Sequence, residues 1–292
     1  MSTVLDPSAP ASRPPRRRRV RATPVAWLLW GAVIFFFLNV AGVIGSVLVN
    51  SFGRRWFDTW LPEGFTTDWY GQAWEEFRLL QVLTVTVEVA LLVVGISVLI
   101  GAPAAYVLAR RTFPGRNVVY LMFLLPILMP PVTYGIPLAT LLYELGLAGN
   151  LSGVVLANLV PSVPFVILTM TPFIEQIDPG IERAARMCGA NTRRVLLRIV
   201  GPLLLPGVLA ASILVLVRTV GMFELTFLTA GPDSQTLIVA LYYSMSASGI
   251  RAQQSVDAMA VMYTAMMLVL LLVALRFVNP TQLVARVKED VE

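Results

Sequence analysis

Histidine is absent from this 292-residue sequence, and cysteine and lysine occur once each, at Cys188 and Lys288. A lone cysteine excludes an intrachain disulfide framework, and without histidine the usual zinc spacings cannot be formed. The commonest general base is missing, and with it every Cys/His or Ser/His/Asp constellation. There is no Gly-x-x-x-x-Gly-Lys-Ser/Thr segment, so the chain is not itself a P-loop ATPase. Charge is scarce as well: Asp, Glu, Lys and Arg make up 13% of the residues, against about 25% in an ordinary soluble domain.

What fills the chain instead is apolar. Hydrophobic residues reach 57%, so the solvent for most of the sequence is lipid. A spanning helix needs about 20 mostly apolar residues, because the hydrocarbon core is about 30 Å thick and each helical residue rises about 1.5 Å. Six segments qualify, at residues 25–49, 79–108, 118–143, 152–174, 202–229 and 257–278. The expected fold is an all-α membrane protein of six transmembrane helices. The expected organisation is a basic, Pro- and Ser-rich disordered tail over 1–23, a six-helix transmembrane domain over 24–280, and a short tail over 281–292. The Arg-rich start resembles the n-region of a signal peptide. The apolar run Trp27 to Val49 is too long for an h-region and has no small-residue cleavage pattern, so it reads as a retained span.

The net charge of +5 comes almost wholly from arginine. Such an excess can mean nucleic acid or a membrane surface. Here the arginines alternate with the spans: they crowd the N-terminal tail, 109–117, 175–201 and the C-terminal tail, and are sparse in 51–78, 144–151 and 230–256. By the positive-inside rule both termini are expected in the cytoplasm of a bacterial inner membrane, and no nucleic-acid partner is expected.

The most informative segment lies between the fourth and fifth spans. Asp178 and Pro179 make a good helix start, since the carboxylate accepts from unpaired backbone N–H groups and proline suits the first helical position. Ala184, Ala185 and Met187 give a short helix with a small face, and Gly189 ends it. Asn191 or Thr192 then caps a second short helix, 193–200. The pattern predicts a helix–Gly–helix elbow over 177–201 on the cytoplasmic side; an ordinary amphipathic interfacial loop is the plainer alternative.

From Glu182 to Pro206 this segment resembles the "EAA" loop of ATP-binding-cassette importer permeases, with Ala184, Ala185, Gly189, Ala190, Ile199, Pro202 and Pro206 in register. Two positions depart from that pattern: Arg183 stands where the motif has glutamate, with Glu182 one place earlier, and Cys188 stands where many members carry an acid. The stretches Leu61–Tyr70, Gly101–Tyr106, Phe113–Arg116, Leu124–Pro131 and Phe223-Glu224 are similar to polyamine-type (spermidine/putrescine) permeases. Permeases for iron(III), aminophosphonate, opine and some sugars share much of this pattern. The resemblance implies a type I importer (MetI-like) architecture and a coupling role for Glu182, Arg183, Ala184, Ala185, Gly189 and Ala190. It further implies an ATPase dimer that binds ATP and Mg outside this chain, a second permease, identical or related, and an extracytoplasmic solute-binding protein. The chain is not expected to be an enzyme or to hold a cofactor or metal.

Ionisable residues inside spans are expensive and raise functional hypotheses. Glu88 stands in span 2, and Arg218 and Glu224 in span 5, beside Phe223. Glu224 either lines a cavity for a cationic substrate or anchors the external interface; Glu88 either lines a cavity or makes an interhelical hydrogen bond. Arg218 and Glu224 are six residues apart, so on a straight helix they diverge by about 240°, although a bend at Gly221 would change that. The prolines of spans 3 and 4 suggest that both spans face the pathway or the partner permease, with simple kinking as the alternative. From a different class, a self-sufficient secondary transporter or channel would show an internal repeat with broken helices in matching positions, and none is evident between residues 25–143 and 152–278. A membrane-embedded enzyme is disfavoured by the missing histidine.

Overall fold

The computed structural model describes residues 24–55, 62–246 and 252–276; the two terminal tails and Arg251 lie outside that set. The chain divides into two units, up to Ser46 and from Val47 onward. The first is most of helix α1 (Pro24–Phe52), apolar over its length, with Trp27, Phe35 and Leu38 exposed.

In the second unit the end of α1 leads into an extended segment in which Gly53 bridges Phe65. Helix α2 (Asp68–Glu76) follows, within the arginine-poor segment between the first two spans. Its Trp69 indole donates to the Gly53 carbonyl at 2.8 Å, and Tyr70 shares a 2.9 Å hydrogen bond with Ser51. Three long helices form the core: α3 (Leu79–Arg110), α6 (Leu151–Glu175) and α9 (Gly201–Val220). They interlock through small residues. A Cβ at Gly101 of α3 would lie 2.7 Å from Val166 of α6, and one at Gly207 of α9 would lie 2.8 Å from Phe173. In lipid, where apolar side chains gain little by leaving the solvent, close backbone approach of this kind supplies the packing that joins helices. Val93, Val166, Ile167, Met170 and Val215 fill the interior.

The third span is broken. Helices α4 (Arg116–Leu128) and α5 (Pro131–Glu144) meet at 97°. The residue before a proline is pushed away from the helical region, and here two prolines in succession hold both Met129 and Pro130 extended, at ψ 140° and 132°. Among the described residues five helices are long and apolar enough to cross a membrane, and the bent pair supplies the sixth crossing when counted as one.

Four expectations need revision. Span 4, read like span 3 as facing the pathway or the partner permease, is the most enclosed of the long apolar helices within the chain; Pro161 and Pro164 are buried within it and leave it continuous. The short helix expected at 193–200 is instead the start of span 5: α8 (Thr192–Val195) passes through one π-helical turn (Leu196–Val200) directly into α9. Span 5 in turn stops at Val220, and the chain restarts as α10 (Glu224–Thr229). The arginine-poor segment 230–256, expected to connect spans 5 and 6, contains an apolar helix, α11 (Leu237–Ser246), which at about 15 Å is too short to span. Helix α12 (Gln253–Arg276) is the last described element.

Candidate functional site

The elbow is assembled by local chemistry. Asp178 accepts from the Gly180 N–H at 2.7 Å and caps α7 (Pro179–Met187), with Pro179 at the first helical position. At the other end Gly189 takes φ +82°. There the Gly189 N–H bonds the Arg186 carbonyl and the Ala190 N–H bonds the Ala185 carbonyl, which is the Schellman closure of a helix. Of the two candidate caps for the next helix it is Asn191 that acts, accepting from Arg194 N–H at 2.9 Å.

Six residues carried the coupling expectation, and the helix sorts them onto two sides. Arg183, Ala184 and Gly189 are exposed; Ala185 and Ala190 are half-buried against the core; Glu182 is buried. The Glu182 carboxylate accepts from the Tyr106 hydroxyl at 2.5 Å and from Arg110 Nε at 2.9 Å, and Arg186 stands 3.8 Å away. Arg110 also donates to the Ile177 carbonyl at 2.6 Å, so the end of α3 holds both the start of the elbow and its acid. Arg116 and Glu175, 3.6 Å apart, tie α4 to the end of α6. Tyr106 and Arg110 were not singled out as site residues from sequence. Their signal was available, since residues four apart share one helix face.

At the far end of α9 the expected pathway residues Arg218, Phe223 and Glu224 surround the helix break. The Arg218 guanidinium lies 5.5 Å over the Phe165 ring, and no carboxylate among the described residues pairs with it. Phe223 stacks on Phe227 at 5.1 Å and meets Tyr242 of α11 at 4.9 Å; Tyr243 closes on Phe227 at 5.7 Å. Glu224 opens α10, which is pinned by Gly149 N–H to the Thr229 carbonyl at 2.9 Å and by Asn158 to Thr226 at 3.3 Å. The buried Tyr134 hydroxyl, without a hydrogen-bond partner among the described residues, sits within electrostatic reach of both Arg218 and Glu224. The Phe223/Phe227 and Tyr242/Tyr243 pairs could be anticipated only once α10 and α11 were known as helices. Glu88 does not join this group. It is exposed on α3 and has no hydrogen-bond or ionic partner among the described residues, so the interhelical bond considered for it is not made among them.

No group of three or more His, Cys, Asp or Glu that could hold a metal ion occurs among the described residues.

Known proteins resemble this chain in sequence and in fold. A probable molybdenum ABC transporter permease protein of Haloferax volcanii is 30% identical over 255 residues, covering 82% of this chain and 88% of the relative. The spermidine/putrescine transport system permease protein PotC of Escherichia coli is 28% identical over 256 residues, covering 87% and 92%. Among solved structures, a bacterial ABC transporter involved in the import of the acidic polysaccharide alginate aligns with TM-score 0.74 at 19% identity, covering 89% of this chain and 98% of that one, a likeness of fold. The family of binding-protein-dependent transport system inner membrane components matches residues 97–280. That match takes in the elbow, the broken helix and all of the core except the first part of α3. The chain is therefore a multi-pass permease subunit of the binding-protein-dependent ABC importers and belongs to that family.

Proposed function

We propose that this chain forms half of the translocation pathway of an ATP-driven importer. Its elbow seats in a groove of a separate ATP-hydrolysing subunit, and a second permease, identical or related, completes the pore. An extracytoplasmic binding protein delivers the solute. The observation that carries this reading is the elbow itself: a capped, glycine-terminated helix that projects between the fourth and fifth spans and is tied by Arg110 into the end of the second. Its outward face is cationic, with Arg183, Arg186, Arg193 and Arg194 exposed and the one acid of α7 turned inward, so a receiving groove lined by carboxylates suits it. Glu88 supports the second permease, because an unpaired carboxylate on a spanning helix is too costly to leave facing lipid. Purification of the chain with its neighbours in native membranes tests the reading. A nucleotide-hydrolysing subunit should copurify in stoichiometric amount; a chain that transports alone would be a secondary transporter or channel.

For the solute, a polyamine-like cation fits the broken helix best. Glu224 offers negative charge beside Phe223, Phe227, Tyr242 and Tyr243, and aromatic faces attract ammonium groups by about 0.5–2 kcal/mol each. The likeness to PotC agrees with this. A second reading, an oxyanion, is favoured by Arg218, which has no carboxylate partner among the described residues, and by the likeness to the molybdenum permease. Uptake into proteoliposomes holding the whole importer separates them. Labelled spermidine should enter, and Glu224→Gln should weaken its uptake about tenfold, a loss of about 1.4 kcal/mol. Uptake of molybdate that fails on Arg218→Ala, with spermidine excluded, would establish the second reading instead.

A further inference from the structure

We infer that the cluster of Glu182, Arg110 and Tyr106 is the joint through which movement of the elbow passes into α3, making Glu182 a positioning residue and not part of the surface gripped by the partner. The inference rests on the reading of the elbow as the coupling element. Covalently, the elbow continues only into α6 and, through α8, into α9. Helix α3 lies 72 residues away in sequence from Glu182 at its nearest contact, Arg110, and meets the elbow through side chains.

Three features make the contact rigid. A single carboxylate receives both the Arg110 Nε–H and the Tyr106 O–H, and such charge-assisted bonds are short and directional. The Glu182 and Arg110 side chains are only 7% and 12% exposed, so water does not compete for them. Arg110 is the last residue of α3, where a cation also suits the helix dipole, and its second bond to the Ile177 carbonyl prevents the guanidinium from swinging away.

Helix α3 is able to carry what it receives. It packs along α6 with Gly101 against Val166, and near its opposite end the Thr86 hydroxyl accepts from the Leu237 N–H of α11 at 2.9 Å. Helix α11 supplies Tyr242 and Tyr243 to the aromatic cluster around Phe223. A displacement of Glu182 therefore has a packed route, through one helix of 32 residues, to the side chains that would meet the solute.

Cys188 is the one cysteine of the chain and is exposed on the elbow; Val107 is exposed near the end of α3. With spin labels on Cys188 and on Val107→Cys in the complete importer, electron–electron resonance reads the distance between elbow and α3 in the nucleotide-free and ATP-bound states. The expected result is the same distance in both states, with Glu182 intact. Adding Glu182→Ala should broaden the distribution and lower solute moved per ATP about tenfold, within the range that couplings between sites span. A distance that changes with nucleotide while Glu182 is intact would overturn the joint, as would full coupling in Glu182→Ala. If no nucleotide-hydrolysing subunit is bound by the chain, the importer reading fails, an outcome separate from either.

Discussion

Glu182 and Arg183 are neighbours on one short helix, and the roughly 100° between successive helical residues sends one into the protein and the other out. The inward carboxylate and Arg110 are both largely removed from water, and a buried ion pair of this kind punishes the loss of one member more than the loss of both. Arg110→Ala leaves Glu182 with Arg186 at 3.8 Å, a half-exposed side chain whose charge is screened. Removing one partner of a buried pair costs about 3–5 kcal/mol, and the residual attraction of Arg186 places the expected loss at the lower end. Thermal unfolding of the purified importer checks this: Arg110→Ala should lower the midpoint, and adding Glu182→Gln should recover part of the loss. Equal midpoints for Arg110→Ala and the parent would mean that the pair is not desolvated in the assembled protein.

At the scale of the elements, the elbow depends on Gly189. Its φ of +82° is open to glycine but costs an ordinary L-residue about 1–2 kcal/mol, and proline, with φ held near −65°, cannot adopt it. Gly189→Pro should leave the protein inserted but let ATP hydrolysis run without uptake, while Gly189→Ala should retain part of the coupling. Parallel assays of hydrolysis and uptake in vesicles decide the matter, and normal uptake in Gly189→Pro would remove the elbow from the coupling route. The elbow was legible in the sequence because Asp178, Pro179, Gly189 and Asn191 act through bonds to their immediate neighbours. The long spans were legible for an equally simple reason, namely length and apolarity. What escaped depends on more distant company. Helix α11 is a ten-residue apolar run flanked by polar residues, so a window wide enough to detect a span averages it away. The prolines announced a break without locating it. Pro126, Pro137, Pro161 and Pro164 sit inside continuous helices, and only the Pro130-Pro131 pair, which constrains two consecutive residues, turns the chain. The central place of α6 follows from the fit of Val166 onto Gly101 and of Phe173 onto Gly207, contacts between helices that no single-segment pattern encodes.

For the whole molecule the arginine distribution makes one claim that geometry alone leaves open, which is the direction in which the chain is threaded. Helix α3, at about 48 Å, is longer than the hydrocarbon core is thick, so its two ends emerge on opposite sides. Arg110, Arg111 and Arg116 flank one end, on the same side as the elbow that Arg110 holds. At the other end Gln81 bonds Asp233, which places the 231–236 turn with the basic-poor segments. Positive charge near span ends is retained on the cytoplasmic side, so the elbow end should be inside and the 231–236 turn outside. Single cysteines placed on a Cys188→Ser background report this directly. Thr112→Cys, exposed between α3 and α4, should resist a membrane-impermeant maleimide in intact spheroplasts and react after lysis. Pro232→Cys, exposed in the turn, should react without lysis. The reverse pattern would put the elbow outside the cell. An elbow there could not meet a cytoplasmic ATPase, and the proposed coupling would fail with the orientation.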